Sequence, residues 1–192
     1  MASLRKRSVT LIELIIAIIL VAVIILGVNG VSYFSHNHAI SADRRAKVQN
    51  DISYCLDRIS KEGLKAIGNE TIFGSNTVVL VVPNLSIAFF IDGNSDGRKD
   101  TTNDYWVKYT YNSSNYQLSY CSNCGSSSLC ASCNTEILSG KITAFKPTKD
   151  FTLGNHVEVE ISGRWDPVKS PSIDNPEVKM RAAIQLPSVS TN

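Results

Sequence analysis

Four of the five cysteines are packed into one short stretch, as Cys121-x-x-Cys124 and Cys130-x-x-Cys133. Two such pairs can give four thiolates to a tetrahedral zinc ion, close as two disulfides, or cycle between redox states. The gap between the pairs is shorter than in the usual zinc ribbon. An exported setting, argued below, would also favour oxidation over zinc. Nested bridges, Cys121 to Cys133 and Cys124 to Cys130, would staple a serine-rich loop, but four cysteines allow three connectivities and spacing does not choose. A second constellation is Asp92-Gly93-Asn94-Ser95-Asp96-Gly97-Arg98-Lys99-Asp100, with the D-x-N-x-D-G spacing of a calcium loop. The side chains of Asp92, Asn94, Asp96 and Asp100 and the carbonyl of Arg98 are candidate ligands of a hard cation. The twelfth loop position is Asn103 rather than a bidentate Glu, which leaves Asp104 as the closing carboxylate. The same residues also read as a polar turn joining two strands, and any calcium would be structural. The third feature is Glu13, a carboxylate inside an otherwise apolar run.

Nothing else offers chemistry. His36, His38 and His156 have no Cys or carboxylate at ligand spacing. No Ser/His/Asp arrangement, phosphate loop or carboxylate pair stands out, so an enzyme is not expected and no cofactor is required. The formal net charge of +2 falls to −1 once Arg5, Lys6 and Arg7 are set aside. No basic excess is then left to bind nucleic acid. Arg44, Arg45 and Lys47 read as a solvated helix face.

The elements that must position these residues begin with a long helix. From Val9 to about Ser32 the chain is almost wholly apolar and long enough to span a bilayer. Beyond it, Val48, Ile52, Cys55, Leu56 and Ile59 recur at three- and four-residue spacing, the stripe of an amphipathic helix. Gly63 and Gly68 weaken the pattern, which predicts an end near Ile67. Cys55, on that stripe, reads as a small buried hydrophobe. The rest reads as strands: a Val-rich run over residues 77–82, a short apolar run over 86–91, alternation over 105–111 with its hairpin partner over 116–120, and alternation again over 141–145, 156–161 and 178–186. Pro83, Pro147, Gly154, Gly163, Pro167, Pro171 and Pro176 punctuate them. A mostly antiparallel sheet laid on the amphipathic helix buries both apolar surfaces and predicts an α+β fold.

The N-terminal residues carry a more specific pattern. Arg5-Lys6-Arg7 precedes Ser8-Val9-Thr10-Leu11-Ile12-Glu13-Leu14, and the apolar run follows at once. An ordinary secretory signal has a shorter apolar core and a small-x-small cleavage site. A simple signal anchor leaves Glu13 unexplained. Basic residues ahead of the run place the leader on the cytoplasmic side and the bulk of the chain outside.

The stretch Thr10-Leu11-Ile12-Glu13-Leu14 resembles the cleavage and methylation signal of type IV pilins and pseudopilins. Ser8 stands where that family prefers Gly, Val9 where Phe or Met is usual, and Gly30 where major pilins often carry Pro. The resemblance implies cleavage between Ser8 and Val9, N-methylation of Val9, and Glu13 as mature residue five. In that family this glutamate meets the N-terminal amine of a neighbouring subunit. The implied organisation is a leader over 1–8, a transmembrane and filament-core helix half over 9–34, and a periplasmic or extracellular pilin-like head over 35–192. The implied partners are other pilin subunits, a prepilin peptidase, and an assembly platform with its ATPase. The protein would sit as a single-pass protein of the cytoplasmic membrane before joining a filament. The Asp-rich turn ahead of an aromatic strand is most similar to PilW-type minor pilins. A type II secretion pseudopilin, and a membrane-anchored metal or thiol module using the double CxxC, are the alternatives.

Overall fold

The structure is a computed structural model that describes residues 10–67, 79–95, 102–125, 127, 130, 133–150 and 156–187. Among the described residues one helix, α1 (Leu11–Gly63), is followed by eight strands. They are β1 (Val79–Val82), β2 (Ser86–Ile91), β3 (Tyr105–Asn112), β4 (Gln117–Ser122), β5 (Asn134–Ser139), β6 (Ile142–Asp150), β7 (His156–Gly163) and β8 (Val178–Gln185). The chain divides into two compact units, residues 1–42 and 43–192.

Helix α1 opens with a side-chain cap. The Thr10 hydroxyl accepts the Glu13 amide at 3.4 Å, and the Thr10 carbonyl accepts the amides of Glu13 and Leu14 at 3.1 and 3.2 Å. This is the Ser/Thr-x-x-Glu start that satisfies otherwise orphaned donors, and an acid in the first turn suits the helix dipole. The helix closes at Gly63, four residues before the expected end. A side chain at position 63 would place its Cβ 2.9 Å from Ile184 Cγ2. Close approach of β8 therefore selects the glycine there. Past the helix the backbone pairs with β2, the Ile67 amide donating to the Phe90 carbonyl and the Asp92 amide to the Lys65 carbonyl.

All strand pairings are antiparallel, and they form two sheets rather than the single sheet expected. One is a five-stranded meander, β1-β2-β3-β4-β5; the other is β6-β7-β8. The break falls at Gly140-Lys141, where the chain leaves one sheet for the other. There the Ile142 amide donates to the Tyr116 carbonyl at 3.0 Å. Strand β6 runs through Pro147, where the sequence pattern predicts a stop. Strand β6 is an edge strand, and a proline with no N–H is tolerated at an edge. Strand β5 was not anticipated. Its first four residues are exposed, so it carries no apolar alternation to detect.

The core joins the water-side half of α1 to both sheets. Val48, Ile52, Cys55, Leu56 and Ile59, the stripe read from spacing, are all buried. They meet Ile87, Phe89, Val107, Tyr109 and Leu118 of the first sheet, and Ile142, Phe145, Val157, Val159, Ile161 and Ile184 of the second. Full burial of each large aliphatic side chain contributes roughly 1.5–3 kcal/mol as an upper bound. Every residue of β2 is buried, so its apolar run has no exposed face. This is the α+β layout expected from the sequence: one long N-terminal helix packed on antiparallel sheet.

Candidate functional site

The first unit holds a helix surface with no cover. Leu11, Leu26 and Phe34 are 79%, 73% and 65% exposed, and every large aliphatic residue between Leu11 and Val31 is likewise exposed. At 1.5 Å per residue the run from Leu11 to Phe34 spans about 36 Å, against a hydrocarbon core of about 30 Å. By length and composition this helix can cross a membrane. Its two hydrogen-bonding side chains before Ser32 differ sharply. Asn29 folds back and donates from Nδ2 to the Ile25 carbonyl at 2.9 Å, which satisfies one amide donor within the helix. The Glu13 carboxylate has no such partner among the described residues. Only its backbone amide is engaged, at Thr10. Below Glu13 lies a shallow, almost purely apolar groove lined by Leu14, Ala17, Ile18, Val21, Ala22 and Ile25. Ser8 and Val9, the expected cleavage site and methylated terminus, lie outside the described residues.

The cysteine loop is built on the end of β4 and the start of β5. Cys121 is bonded to Cys133 and Cys124 to Cys130, with Cα–Cα distances of 5.8 and 4.7 Å. The loop backbone is held against β3: the Cys124 amide donates to the Trp106 carbonyl at 2.8 Å, and the Trp106 amide to the Gly125 carbonyl at 2.9 Å. Gly125 sits at φ 61° and Cys130 at φ 54°, the left-handed backbone that turns the loop. Cys121 is buried and the other three are half-buried. The Sγ atoms of Cys121, Cys124 and Cys133 lie within 4.8 Å of one another. Among the described residues this is the group of His, Cys, Asp or Glu side chains compact enough to hold a metal ion. The fifth cysteine, Cys55, is buried and unbonded. Burial, with the Asp51 carboxylate as the lesser cause, pushes its thiol up to about 12.

The Asp-rich segment is closed at its base. Asp104 is buried, and its Oδ1 accepts the Gly93 amide at 3.1 Å. A Cβ at position 93 would fall 2.1 Å from the Asn103 carbonyl oxygen, so only glycine fits this approach. Asp92, Asn94, Asn103 and Asp104 are thus drawn to one place. Asp96, Arg98 and Asp100, which the calcium reading also needs, lie outside the described residues. Asp104 has a structural use of its own as the clasp across the loop mouth.

Two further constellations escaped the sequence reading. Arg58 lies over the Tyr120 ring at 4.7 Å and near Glu136 at 3.8 Å, tying α1 to the first sheet. Asn175, only 5% exposed, accepts the Asp166 amide at 2.9 Å and donates to the Asp166 carbonyl at 2.9 Å. Its Nδ2 also reaches the carbonyls of Lys169 and Ser170, both at 3.3 Å. It organises the loop between β7 and β8, where the amines of Lys47 and Lys141 approach the Trp165 ring at 5.5 and 4.4 Å. Asn and Pro residues mark a loop in sequence, but not which amide plugs it. His38 stacks near Phe34 at 4.1 Å, and His156 lies in β7.

Comparison with protein-family models, with curated proteins and with solved structures finds no match to this chain.

Proposed function

We propose that this chain is a structural subunit of a type IV pilus-like filament, of the minor-pilin kind. The observation that carries the reading is the Glu13 carboxylate, which has no partner among the described residues and stands at the start of an exposed, membrane-length apolar helix. An ionised carboxylate in apolar surroundings costs several kcal/mol unless paired. Within a single chain that cost is pure loss. Between chains it becomes a device for register, because the one favourable position of a neighbouring helix puts a positive group beside Glu13.

The positive group is the amine of Val9, freed when a prepilin peptidase removes residues 1–8 and methylates the new terminus. An assembly platform and its ATPase then draw the helix from the cytoplasmic membrane into a filament. The apolar groove along Leu14, Ile18 and Ile25 receives a neighbouring helix, and the head faces outward. The chain starts as a single-pass protein with its leader in the cytoplasm.

The N-terminus and intact mass of the chain, made in a host with a prepilin peptidase, test this reading. A start at Val9 carrying one added methyl group is expected. A start at Met1 would make the helix a permanent anchor and sink the proposal. A type II secretion pseudopilin shares every step up to assembly. Retraction-ATPase and adhesin genes beside this one are expected, whereas a secretin-linked operon would favour the pseudopilin. The sulfur cluster keeps a membrane-anchored thiol module in view. That alternative requires reversible two-electron titration in a chain absent from filaments.

A further inference from the structure

The two disulfides are not separate staples. Cys121 Sγ lies 3.2 Å from Cys124 Sγ, although each is bonded to a different cysteine. The sulfurs of Cys121, Cys124 and Cys133 therefore lie within 4.8 Å of one another, with Cys130 bonded to the second of them, whereas a loop closed by two bridges needs no contact between them. A zinc ion with four Zn–S bonds of about 2.3 Å spaces its sulfurs about 3.8 Å apart. Breaking both bridges frees each bonded pair to part by about 2 Å and Cys130 Sγ, which lies outside the compact trio, to turn inward toward that spacing, movements within side-chain rotation.

We propose that, once reduced, the Cys121, Cys124, Cys130 and Cys133 cluster is a tetrathiolate site for one soft divalent ion, with zinc as the natural occupant. This inference does not rest on the filament reading. The backbone needed to hold the sulfurs is independent of the bridges in part. Residues 124 and 125 are tied to Trp106 by two main-chain hydrogen bonds, Cys121 lies in β4 opposite Thr135 of β5, and Cys133 directly precedes β5. In the β3–β4 register Lys108 stands opposite Cys121, so a cationic residue shares the face that carries the buried sulfur. A cation near a cysteine favours the thiolate that a metal requires. The head would then have two alternative closures for one loop, covalent when oxidised and metal-bound when reduced.

The chemistry has two balanced steps. A phosphine attacks one sulfur of a bridge; the S–S bond breaks, and water supplies the oxygen and two protons, so that each disulfide gives two thiols and one phosphine oxide. The divalent ion then displaces four protons from four thiols and forms four metal–sulfur bonds, leaving a centre of net charge −2.

The test uses the full chain in detergent micelles, reduced anaerobically with a water-soluble phosphine and titrated with Co2+. The expected result is one ion per chain, with sulfur-to-cobalt charge-transfer absorption and the intense d–d bands of tetrahedral coordination, all lost on adding Zn2+. Cys130→Ser is expected to weaken cobalt binding at least about tenfold, since even loss of a supporting group beyond the ligands costs that much. Cys55→Ser should leave both spectrum and affinity unchanged. No cobalt uptake by the reduced chain, or a spectrum without thiolate charge transfer, overturns the proposal. So does equal affinity in the reduced chain unfolded by urea, because the fold would then not build the site. Misfolding of the Cys130 variant does not rescue it, since the reduced wild-type chain is read directly.

Discussion

The hydroxyl of Tyr109, on β3, donates to the backbone carbonyl of Arg58, on α1, at 3.1 Å. Tyr109 is fully buried, and burial, with neighbouring Tyr120 as the next cause, raises its phenol far above the usual range. A phenol held protonated in the core keeps its role as donor, and this bond clamps the helix to the first sheet. Tyr109→Phe should lower stability by about 1 kcal/mol, the net value of one hydrogen bond. Tyr109→Ala should cost about 3–5 kcal/mol, because a cavity is added. Urea unfolding of the detergent-solubilised chain measures both; no loss in Tyr109→Phe would mean that packing alone matters.

Cys55 yields a pH prediction. Its folded value of about 12 stands above the ordinary 9.0, so the thiol form is favoured by folding. The stabilisation is therefore complete below about pH 9 and is lost as pH rises through 9 toward 12, while the unfolded thiol ionises. Cys55→Ala should flatten this alkaline decline. A maleimide should leave the folded chain unlabelled at pH 8, and label it once in urea without reductant. Labelling of the folded chain would place Cys55 at the surface.

The base of the Asp-rich loop gives a third test. Asp104→Ala removes the acceptor of the Gly93 amide, at a cost of about 1 kcal/mol, the net value of one hydrogen bond. Gly93→Ala forces a Cβ against the Asn103 carbonyl oxygen, 2.1 Å away, and must open the loop mouth. Both variants should lower Tm alike in calcium and in chelator. A loss confined to calcium would assign Asp104 to a cation rather than to the clasp.

On the filament proposal, Glu13→Ala should leave cleavage after Ser8 intact and abolish recovery of the chain in sheared filaments. Mass spectrometry of membrane and filament fractions reads both steps. Normal incorporation of the variant would remove the role given to the carboxylate.

The sequence by itself determined the elements whose signal is local. A continuous apolar run specifies one long helix, and the stripe from Val48 to Ile59 names its buried face, because helical side chains three and four apart share a side. Apolar runs and alternation together located seven of the strands within a few residues. Strand β5 stayed hidden because its first four residues meet solvent on both faces, and β6 was cut short because a proline stops a strand only when its missing amide is needed by a neighbour. The split into two sheets, the choice among the three cysteine connectivities, the Asn175 plug and the Tyr109–Arg58 clamp were decided by tertiary structure alone. Each depends on residues distant in sequence meeting at hydrogen-bond or bonding distance, and no local period encodes such a meeting.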